Sequence, residues 1–287
     1  MSEKRIVALG DFDGVHLGHK ELLRHLSEWA ASLQAEPMVL SFDRNTKGRK
    51  RITAPMVRDY YLRRYGIEEI RILPFDEWKD VSAEDFAEGF LKNELHAVGL
   101  ICGEDLHFGK DRLGNEFTLI GKGIAVRKIK DQLMNDLRIS SSAIRADLEQ
   151  GNLSAAEAKM GHPFTLMGEV THGKGLARQH GCPTANLPLA KEQLLLPFGV
   201  YAAWVWAEDR CYPAAANLGV RPTLEKEGEA NLEAHLLEEA PDLYGKTIRV
   251  ELKSYIRREM RFESEEALFE QIKRDGEICK ARLEKSK

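Results

Sequence analysis

The chain has 287 residues, of which 43% are hydrophobic and 31% charged, and its formal net charge is −4 at pH 7. These values are typical of a soluble globular protein long enough for two domains, and they exclude a disordered chain or a strongly basic nucleic-acid-binding protein. No apolar run approaches the roughly 18 residues of a membrane span, and the start lacks a signal-peptide core. The four cysteines show no CxxC spacing. The sequence therefore predicts a cytoplasmic protein with reduced thiols and with no nucleic-acid or membrane partner.

The first half of the chain alternates between predicted strands and predicted helices. Strands are predicted at 5–10, 37–42, 69–73 and 97–102, and helices at 20–33, 55–65 and 82–95. Because alternating strands and helices form right-handed βαβ units, this half predicts an α/β fold with a parallel, Rossmann-like sheet covered on both faces. A further helix is predicted to start at Ser140 to Ser142, which are typical N-cap residues, and to stop at Gly151.

From about Gly161 the pattern changes to short β-like runs separated by Gly, Pro and Asp. The runs FTLMGEV, GVYAAWVWA, YPAAANLGV, LEAHLL and KTIRVELKSYI predict a small barrel or sandwich. In the last run Ile248, Val250 and Leu252 alternate with charged residues, which is typical of a half-buried antiparallel strand. The tail from 264 to 287 is predicted to be a helix that packs through its apolar residues, which are Ala267, Leu268, Ile272 and Ile278.

The stretch RIVALGDFDGVHLGH joins the first predicted strand to the first predicted helix. Gly10 and Gly14, on either side of Asp13, let the backbone approach a ligand closely, and the N–H groups at a helix start favour an anion. His16 and His19 stand at that start, where two imidazoles can add charge or hydrogen bonds to a polyphosphate. The alternatives are two surface histidines or a metal site, but no carboxylate or cysteine is spaced to complete a metal shell.

A second anion site is predicted at the segment ISSSAIR. Ser140, Ser141 and Ser142 supply hydroxyls and N–H groups at a helix start, and Arg145 lies about one turn further along. A plain helix cap is the alternative interpretation of these serines.

These two motifs, together with FGKDRLG from Phe108 to Gly114, resemble the adenylyltransferase domain of bacterial bifunctional FAD synthetases. The resemblance implies a HxGH nucleotidyltransferase fold. It also implies that His16 and His19 hold the β- and γ-phosphates of ATP and stabilise the leaving pyrophosphate, while Arg145 and the serines bind the same triphosphate. No protein nucleophile is needed, because the phosphate of FMN attacks the α-phosphorus directly. Catalysis would come from positioning and charge stabilisation, helped by Mg²⁺.

The chain departs from this family pattern in places. Asp11 to Gly14 stands where members usually read NFDG, and Asp43 to Thr46 replaces a PHP segment. Loss of the PHP histidine is the most serious change, although Arg44 or the basic run from Lys47 to Arg51 could replace its charge. An alternative is therefore a chain whose nucleotidyltransferase domain is degenerate or altered in specificity.

A second glycine-rich segment, GEVTHGKGLARQHGCPTANLPL, carries the more specific signal. Gly168 and Gly173 allow close backbone approach, and Lys174 offers positive charge. Thr184 and Asn186 place a hydroxyl and an amide two residues apart, on one side of an extended segment. Both oxygens are suitable ligands for Mg²⁺ on a nucleotide phosphate, and a turn with polar caps is the alternative.

Together with LPFGVYAA, LEAHLL, DLYGKTIRVEL and IRREMRF, this segment resembles riboflavin kinases over nearly all of 161–275. The resemblance implies a small Greek-key β-barrel in which Thr184 and Asn186 bind Mg²⁺–ATP and the loop from Gly168 to Lys174 covers the phosphates. Glu233 would be the general base for the ribityl 5′-hydroxyl of riboflavin as that oxygen attacks the γ-phosphorus in line. Without the resemblance, an exposed strand carboxylate is the favoured interpretation of Glu233.

The sequence as a whole predicts an adenylyltransferase-like domain over 1–158 followed by a riboflavin kinase domain over 159–287. The enzyme would phosphorylate riboflavin to FMN with ATP and Mg²⁺ and adenylylate FMN to FAD, so its partners are the small molecules riboflavin, FMN and ATP. The alternatives are a riboflavin kinase only and a flavin-binding protein without turnover. The oligomeric state is left open.

Overall fold

A computed structural model describes residues 4–43, 50–172, 184–220 and 230–285 of the chain. The chain divides into two compact units. The first comprises Met1–Arg49 and Arg58–Ser140, and the second comprises Lys50–Val57 and Ser141–Lys287. The second unit therefore includes one short segment of the first half of the sequence, Lys50–Val57.

The first half of the chain forms a parallel five-stranded sheet. Its strands are β1 (Arg5–Leu9), β2 (Glu36–Asp43), β3 (Glu69–Pro74), β4 (Ala97–Gly103) and β5 (Ala125–Ile129), in the order β3-β2-β1-β4-β5. The helices here are α1 (Leu17–Ser32), α2 (Pro55–Arg64), α3 (Phe75–Trp78), the π-helix Asp85–Glu94, the 3₁₀ turn Lys110–Arg112 and α4 (Glu116–Gly121). A small hairpin of β6 (Leu133–Met134) and β7 (Leu137–Arg138) follows β5. The predicted parallel, Rossmann-like sheet is confirmed.

Both faces of this sheet are covered, as the continuous apolar strands predict. On one face Val7 and Leu100 belong to the same buried cluster as Phe86 of the helix Asp85–Glu94. On the other face α1 packs so closely that a Cβ on Gly99 would lie 2.6 Å from the Trp29 ring. The sheet is thus fixed between helices, and only the ends of its strands remain accessible for a ligand.

The second unit is a curled antiparallel sheet. Its strands are β8 (Phe164–Glu169), β9 (Thr184–Pro188), β10 (Gly199–Ala207), β11 (Arg210–Val220), β12 (Ala230–Leu236) and β13 (Thr247–Arg257), in the order β8-β13-β10-β11-β12-β9. Two helices, α5 (Ser141–Glu149) and α6 (Leu153–Met160), come before the strands, and α7 (Glu265–Glu284) follows them. The two ends of the sheet meet where the Thr171 N–H donates to the Asn186 carbonyl at 2.9 Å. The sheet is therefore curled into a half-barrel, the coarser form of the predicted small β-barrel.

The helix α7 packs on this sheet through a different face from the one predicted. Ile278 is 44% exposed and Ala267 is also exposed, so the prediction that these two residues face the sheet is wrong. The buried positions of the helix are Asp275, Gly276, Cys279 and Leu283. Because Asp275 and Gly276 are not apolar side chains, the apolar periodicity of the sequence does not reveal this buried stripe.

None of the helices in the described ranges combines the length and the apolar character that a bilayer crossing needs.

Candidate functional site

The first candidate site lies where β1 turns into α1. Phe12 and Val15 have φ angles of 53° and 35°, although neither is a glycine, and Gly14 has a φ of 83°. Non-glycine residues hold such angles only where the surrounding structure fixes them. Asp13, in the middle of the turn, is 4% exposed, and the Gly10 N–H donates to the Leu40 carbonyl at 3.2 Å. The turn is therefore pre-formed and anchored to the sheet.

His16 and His19 come together at the start of α1. His16 is the N-cap residue, and its Nδ1 accepts a hydrogen bond from the His19 N–H at 3.4 Å. The Nδ1 of His19 accepts from the His16 N–H at 3.3 Å in return. The two rings stack with their centroids 3.7 Å apart and their planes 18° apart. Because Nδ1 of each ring is engaged with the backbone, an incoming ligand would be met by Nε2.

The protonation state of this pair suits hydrogen-bond donation to an anion. Burial, together with the neighbouring His16, lowers the pKa of His19 well below its usual value. The ring is therefore neutral at pH 7, and with Nδ1 accepting it carries its proton on Nε2, ready to donate. Within the described ranges, no three His, Cys, Asp or Glu side chains are grouped to hold a metal ion. Hydrogen bonding to phosphate oxygens is the chemistry that this arrangement supports.

A cavity of about 460 Å³ lies in the same unit, at the carboxyl ends of β1, β2 and β4. This is the crevice between β1 and β4, where the strand order of the sheet reverses and where such folds usually bind ligands. The cavity walls include Gly10 and an aromatic set, which is Phe42, Phe75, Trp78 and Phe108. Of these four, only Phe108 belongs to a motif singled out in the sequence, and the others sit in strands and helices whose patterns indicate packing.

The loop that carries the FGKDRLG motif forms one wall of this cavity. Gly109, Asp111 and Arg112 have φ angles of 69°, 55° and 61°, and all three line the cavity. Strained backbone of this kind clusters at ligand-binding sites, since it aims side chains in fixed directions. Arg112 and Arg138 bring positive charge to this cavity, and its lining also carries the carboxylates of Asp11, Glu104, Asp105 and Asp111. Arg138 is paired with Asp105 at 3.5 Å and with Asp131 at 2.9 Å.

The predicted second anion site falls at the start of α5. Ser141 and Ser142 open this helix, with Ser140 immediately before it, as the N-cap prediction requires. Arg145 donates from Nη1 to the carbonyl of Lys50. Arg145 belongs to the second unit and the two histidines belong to the first. Its action on the same triphosphate as the histidines stays a prediction.

The second candidate site lies on one face of the curled sheet, where β9, β12 and β11 run side by side. Asn186 stands directly opposite Glu233, and Glu233 stands directly opposite Asn217. Side chains at directly opposed positions of neighbouring strands share a face of the sheet. Thr184, Asn186 and Glu233 line one cavity of about 280 Å³. The structure thus brings together a hydroxyl, a carboxamide and a carboxylate that the sequence analysis had identified in separate motifs.

The hydroxyl and the carboxamide are held by residues of the neighbouring strand. Thr184 Oγ1 lies 3.1 Å from His235 Nδ1, and Asn186 Oδ1 accepts from Asn231 Nδ2 at 3.4 Å. Burial lowers the pKa of His235 to about 4, and the Asp275 carboxylate acts in the opposite direction. The His235 ring is therefore neutral at pH 7. Two oxygen donors beside a carboxylate fit Mg²⁺, a hard ion that prefers oxygen ligands and is usually shared with substrate phosphates.

The same cavity has an apolar wall that the sequence analysis missed. It comes from the segment after β13 and from α7, and its residues are Met260, Phe262, Leu268, Phe269 and Ile272. A flat apolar ring could lie against such a wall while its polar end faces Glu233. The available signals were the IRREMRF motif and the four-residue spacing of Leu268 and Ile272, which indicates packing as readily as ligand binding.

A buried ion pair fixes this wall to the sheet. Arg257 at the end of β13 donates from Nε to Asp275 Oδ1 at 2.9 Å and from Nη2 to Asp275 Oδ2 at 2.6 Å. Gln271 donates to the same carboxylate at 2.9 Å, and Asp275 is 3% exposed. Bidentate geometry with an added hydrogen bond offsets the cost of burying the two charges.

The segment predicted to cover the phosphates begins inside a strand. Gly168 lies in β8, where a Cβ would come within 2.8 Å of the Leu187 side chain, so close packing alone accounts for a glycine here. Gly173 and Lys174 lie outside the described residues, as do Cys182 and the segment from Arg44 to Thr46.

Comparison with known proteins finds matches over most of the chain. A family model described as FAD synthetase matches residues 1–143, and one described as riboflavin kinase matches residues 160–283. The chain is 34% identical over 287 residues to a bifunctional riboflavin kinase/FMN adenylyltransferase of Pseudomonas fluorescens, covering 96% of this chain and 92% of that protein. It is 36% identical over 284 residues to the protein of the same name in Escherichia coli strain K12, covering 94% and 90%. A solved structure described as a macrolide-efflux protein of Streptococcus pneumoniae matches with a TM-score of 0.81 and 29% identity, over 98% of this chain and 95% of that one.

Proposed function

The chain belongs to the family of bifunctional riboflavin kinases/FMN adenylyltransferases, and from that premise we propose which residues carry each reaction. The enzyme phosphorylates riboflavin to FMN with ATP and adenylylates FMN to FAD. ATP and the flavins are its substrates, and Mg²⁺ dependence is typical of the family. We assign adenylyl transfer to residues 1–158 and the kinase to residues 159–287, which the family matches to 1–143 and 160–283 support.

For the kinase, the observation that supports the assignment is that Thr184, Asn186 and Glu233 line the same cavity. Glu233 accepts the proton of the 5′-hydroxyl as that oxygen attacks the γ-phosphorus and ADP leaves. Thr184 and Asn186 would hold Mg²⁺, which supplies charge neutralisation to the transferred phosphoryl group. Gly173 and Lys174 are proposed to cover the phosphates, and Gly168, in the strand β8, to lead the chain into that segment. The apolar wall formed by Met260, Phe262, Leu268, Phe269 and Ile272 holds the isoalloxazine ring and so positions the ribityl end near Glu233.

For adenylyl transfer, we propose that Nε2–H of His16 and of His19 donates to the β- and γ-phosphates. The turn of Gly10, Asp13 and Gly14 seats the nucleotide, and Ser140, Ser141, Ser142 and Arg145 bind the same triphosphate. The FMN phosphate oxygen forms the new bond to the α-phosphorus, and pyrophosphate leaves with its charge stabilised by the histidines. No covalent intermediate with the protein is needed.

We further propose that the aromatic-walled cavity of the first unit is the flavin site of the adenylyltransferase. Phe42, Trp78 and Phe108 offer faces and edges to a flat ring, while Arg112 offers charge to the FMN phosphate. Its volume of about 460 Å³ lies in the ordinary range for a small-molecule site.

Two variants separate the activities, with product formation followed chromatographically from riboflavin and from FMN. Glu233→Gln should lower FMN formation by about 10²-fold to 10⁴-fold and leave FAD formation from FMN intact. His19→Gln should do the reverse. The matched controls are Glu239→Gln, an exposed carboxylate that follows β12, and His25→Gln, a histidine of α1 paired with Glu21. Full FMN formation by the Glu233 variant would exclude this carboxylate as the base.

We also propose that the enzyme has no nucleic-acid partner and works in the cytoplasm. The net charge of −4 supports the first point, since phosphate backbones attract basic surfaces. Cys102 and Cys279 are buried thiols, a state that a reducing compartment maintains.

A further inference from the structure

The kinase cavity places a histidine beside one of the two proposed magnesium ligands. Thr184 on β9 and His235 on β12 stand directly opposite each other in the strand register. Thr184 Oγ1 and His235 Nδ1 are 3.1 Å apart, and both side chains line the cavity. The proposed kinase chemistry gives His235 no part, yet the ring lies against a group that the chemistry requires.

The proton of a threonine hydroxyl limits what its oxygen can bind. The hydroxyl has one proton and two acceptor lone pairs, and the proton rotates to suit its surroundings. A cation at Oγ1 needs a lone pair directed toward it, so the proton must be directed toward another acceptor. A neutral imidazole with its proton on Nε2 offers such an acceptor at Nδ1, and 3.1 Å is a normal hydrogen-bond distance.

We propose that His235 is a positioning residue that accepts the Thr184 hydroxyl proton on Nδ1 and so turns the Oγ1 lone pairs toward the metal ion. This inference rests on the proposed function, in which Thr184 is a magnesium ligand. The second proposed ligand is held in a similar way, since Asn186 Oδ1 accepts from Asn231 Nδ2 at 3.4 Å. Both positioning residues belong to β12, the strand that also carries Glu233. One strand therefore supplies the base and orients both ligands.

Two replacements at one position test the acceptor. His235→Asn keeps an oxygen acceptor near the place of Nδ1, whereas His235→Leu has a similar size and no acceptor. In the full-length chain, His235→Leu should raise the Mg²⁺ concentration that half-saturates FMN formation by about tenfold to 100-fold. The KM for riboflavin should stay close to that of the wild type, because the apolar wall is untouched. His235→Asn should recover most of the metal affinity.

Binding of Mn²⁺ in the presence of ADP, followed by electron paramagnetic resonance, gives a readout without turnover. The adenylyltransferase site of the same chain should bind its own metal and nucleotide, so it serves as an internal control. One class of Mn²⁺ site should weaken in His235→Leu and the other should not. A His235→Leu chain with wild-type Mn²⁺ and Mg²⁺ dependence would overturn the inference. Equal losses in the Asn and Leu variants would also overturn it, since ring packing rather than the acceptor would then be responsible.

The tautomer can be measured in the unaltered protein. A long-range ¹⁵N–¹H correlation spectrum of the histidine-labelled chain distinguishes a ring protonated on Nε2 from one protonated on Nδ1. The His235 signals, identified by their absence in His235→Asn, should show the proton on Nε2. A proton on Nδ1 would contradict the inference even if the Leu variant failed to fold.

Thr184→Ala separates failure of this inference from failure of the proposed function. Loss of metal affinity in Thr184→Ala with none in His235→Leu would leave the proposed function standing and overturn the positioning role alone. A Thr184→Ala chain with wild-type metal dependence, or a wild-type chain that forms no FMN, would overturn the kinase assignment and the inference together.

Discussion

Gly18→Ala tests the geometry of the histidine pair without removing either imidazole. Gly18 is the second residue of α1, and a Cβ there would lie 3.1 Å from both Nδ1 and Cε1 of His16. Carbon atoms in ordinary contact are about 3.5–4.0 Å apart, so the ring must move by several tenths of an ångström. The same Nδ1 accepts from the His19 N–H at 3.4 Å, which is already long for a hydrogen bond. A shift of the ring therefore breaks the cap and disturbs the stacked pair.

The effects of this change on stability and on rate differ. Alanine in place of glycine stabilises a helix by up to about 1 kcal/mol, and loss of the N-cap bond costs about 1 kcal/mol. These two terms nearly cancel, so the melting temperature should change by no more than about 4 °C. The rate of FAD formation has no such compensation, because misplacing phosphate-binding groups lowers a catalytic rate by up to about 10²-fold. We therefore expect FAD formation from FMN to fall by about tenfold to 100-fold, with little change in stability.

The assay measures FAD from FMN and FMN from riboflavin on the same preparation. The kinase rate should be retained, which shows that the chain is intact. Gly89→Ala is the matched control, because a Cβ at Gly89 meets no atom within 4 Å, and both activities should persist in it. If Gly18→Ala formed FAD at close to the wild-type rate, the reasoning that His16 and His19 must keep this geometry would be refuted.

Three further outcomes follow from the second unit. Asp275→Asn should lower the free energy of unfolding by about 3 kcal/mol in urea titrations, since the Arg257 side chain, which is 20% exposed, loses its carboxylate, whereas exposed Glu270→Gln should change it little. Phe262→Ala should raise the KM for riboflavin by about tenfold to 100-fold and leave the KM for ATP unchanged, and an unchanged riboflavin KM would remove this residue from the flavin site. Because the pKa of His235 is about 4 in the folded chain and 6.5 is its ordinary value, the unfolded chain binds the proton first as pH falls. A contribution of about 3 kcal/mol, present above pH 6.5, should therefore be lost between pH 6.5 and 4, and denaturant titrations of His235→Asn should show a shallower pH dependence.

Sequence periodicity predicts β1, β2, β3 and β4 of the first sheet and misses the edge strand β5. The runs at β1, β2 and β4 are apolar because both faces are covered, so their pattern is strong. The edge strand β5, Ala125–Ile129, carries Arg127 and Lys128 and has no fully buried residue, so it resembles a polar loop. The helix before it has a local signal, since Asn115 caps it by accepting from the Phe117 N–H at 2.9 Å.

The motifs identify the polar groups of the kinase cavity, but not how they meet. Asn186 and Glu233 face each other because β9 pairs with β12, and the order of strands in a sheet is a tertiary property. The apolar wall was missed for a related reason. Asp275 lies in the buried stripe of α7 only because Arg257 on another element neutralises it, and no pattern within the helix indicates that partner.

The division of the chain into units bears on whether its two activities can be separated by genetic fission. The segment Lys50–Val57 belongs to the second unit, where the Leu194 N–H donates to the Arg51 carbonyl at 2.7 Å and Gln193 Nε2 donates to the Ile52 carbonyl at 3.0 Å. Ile52 is fully buried. A protein that starts at residue 159 would lose this segment with α5 and α6, leaving the buried Gln193 amide short of acceptors. A single cut at residue 158 therefore removes contacts from the second unit, and we expect the fragment from residue 159 to be less stable than the same residues in the full chain.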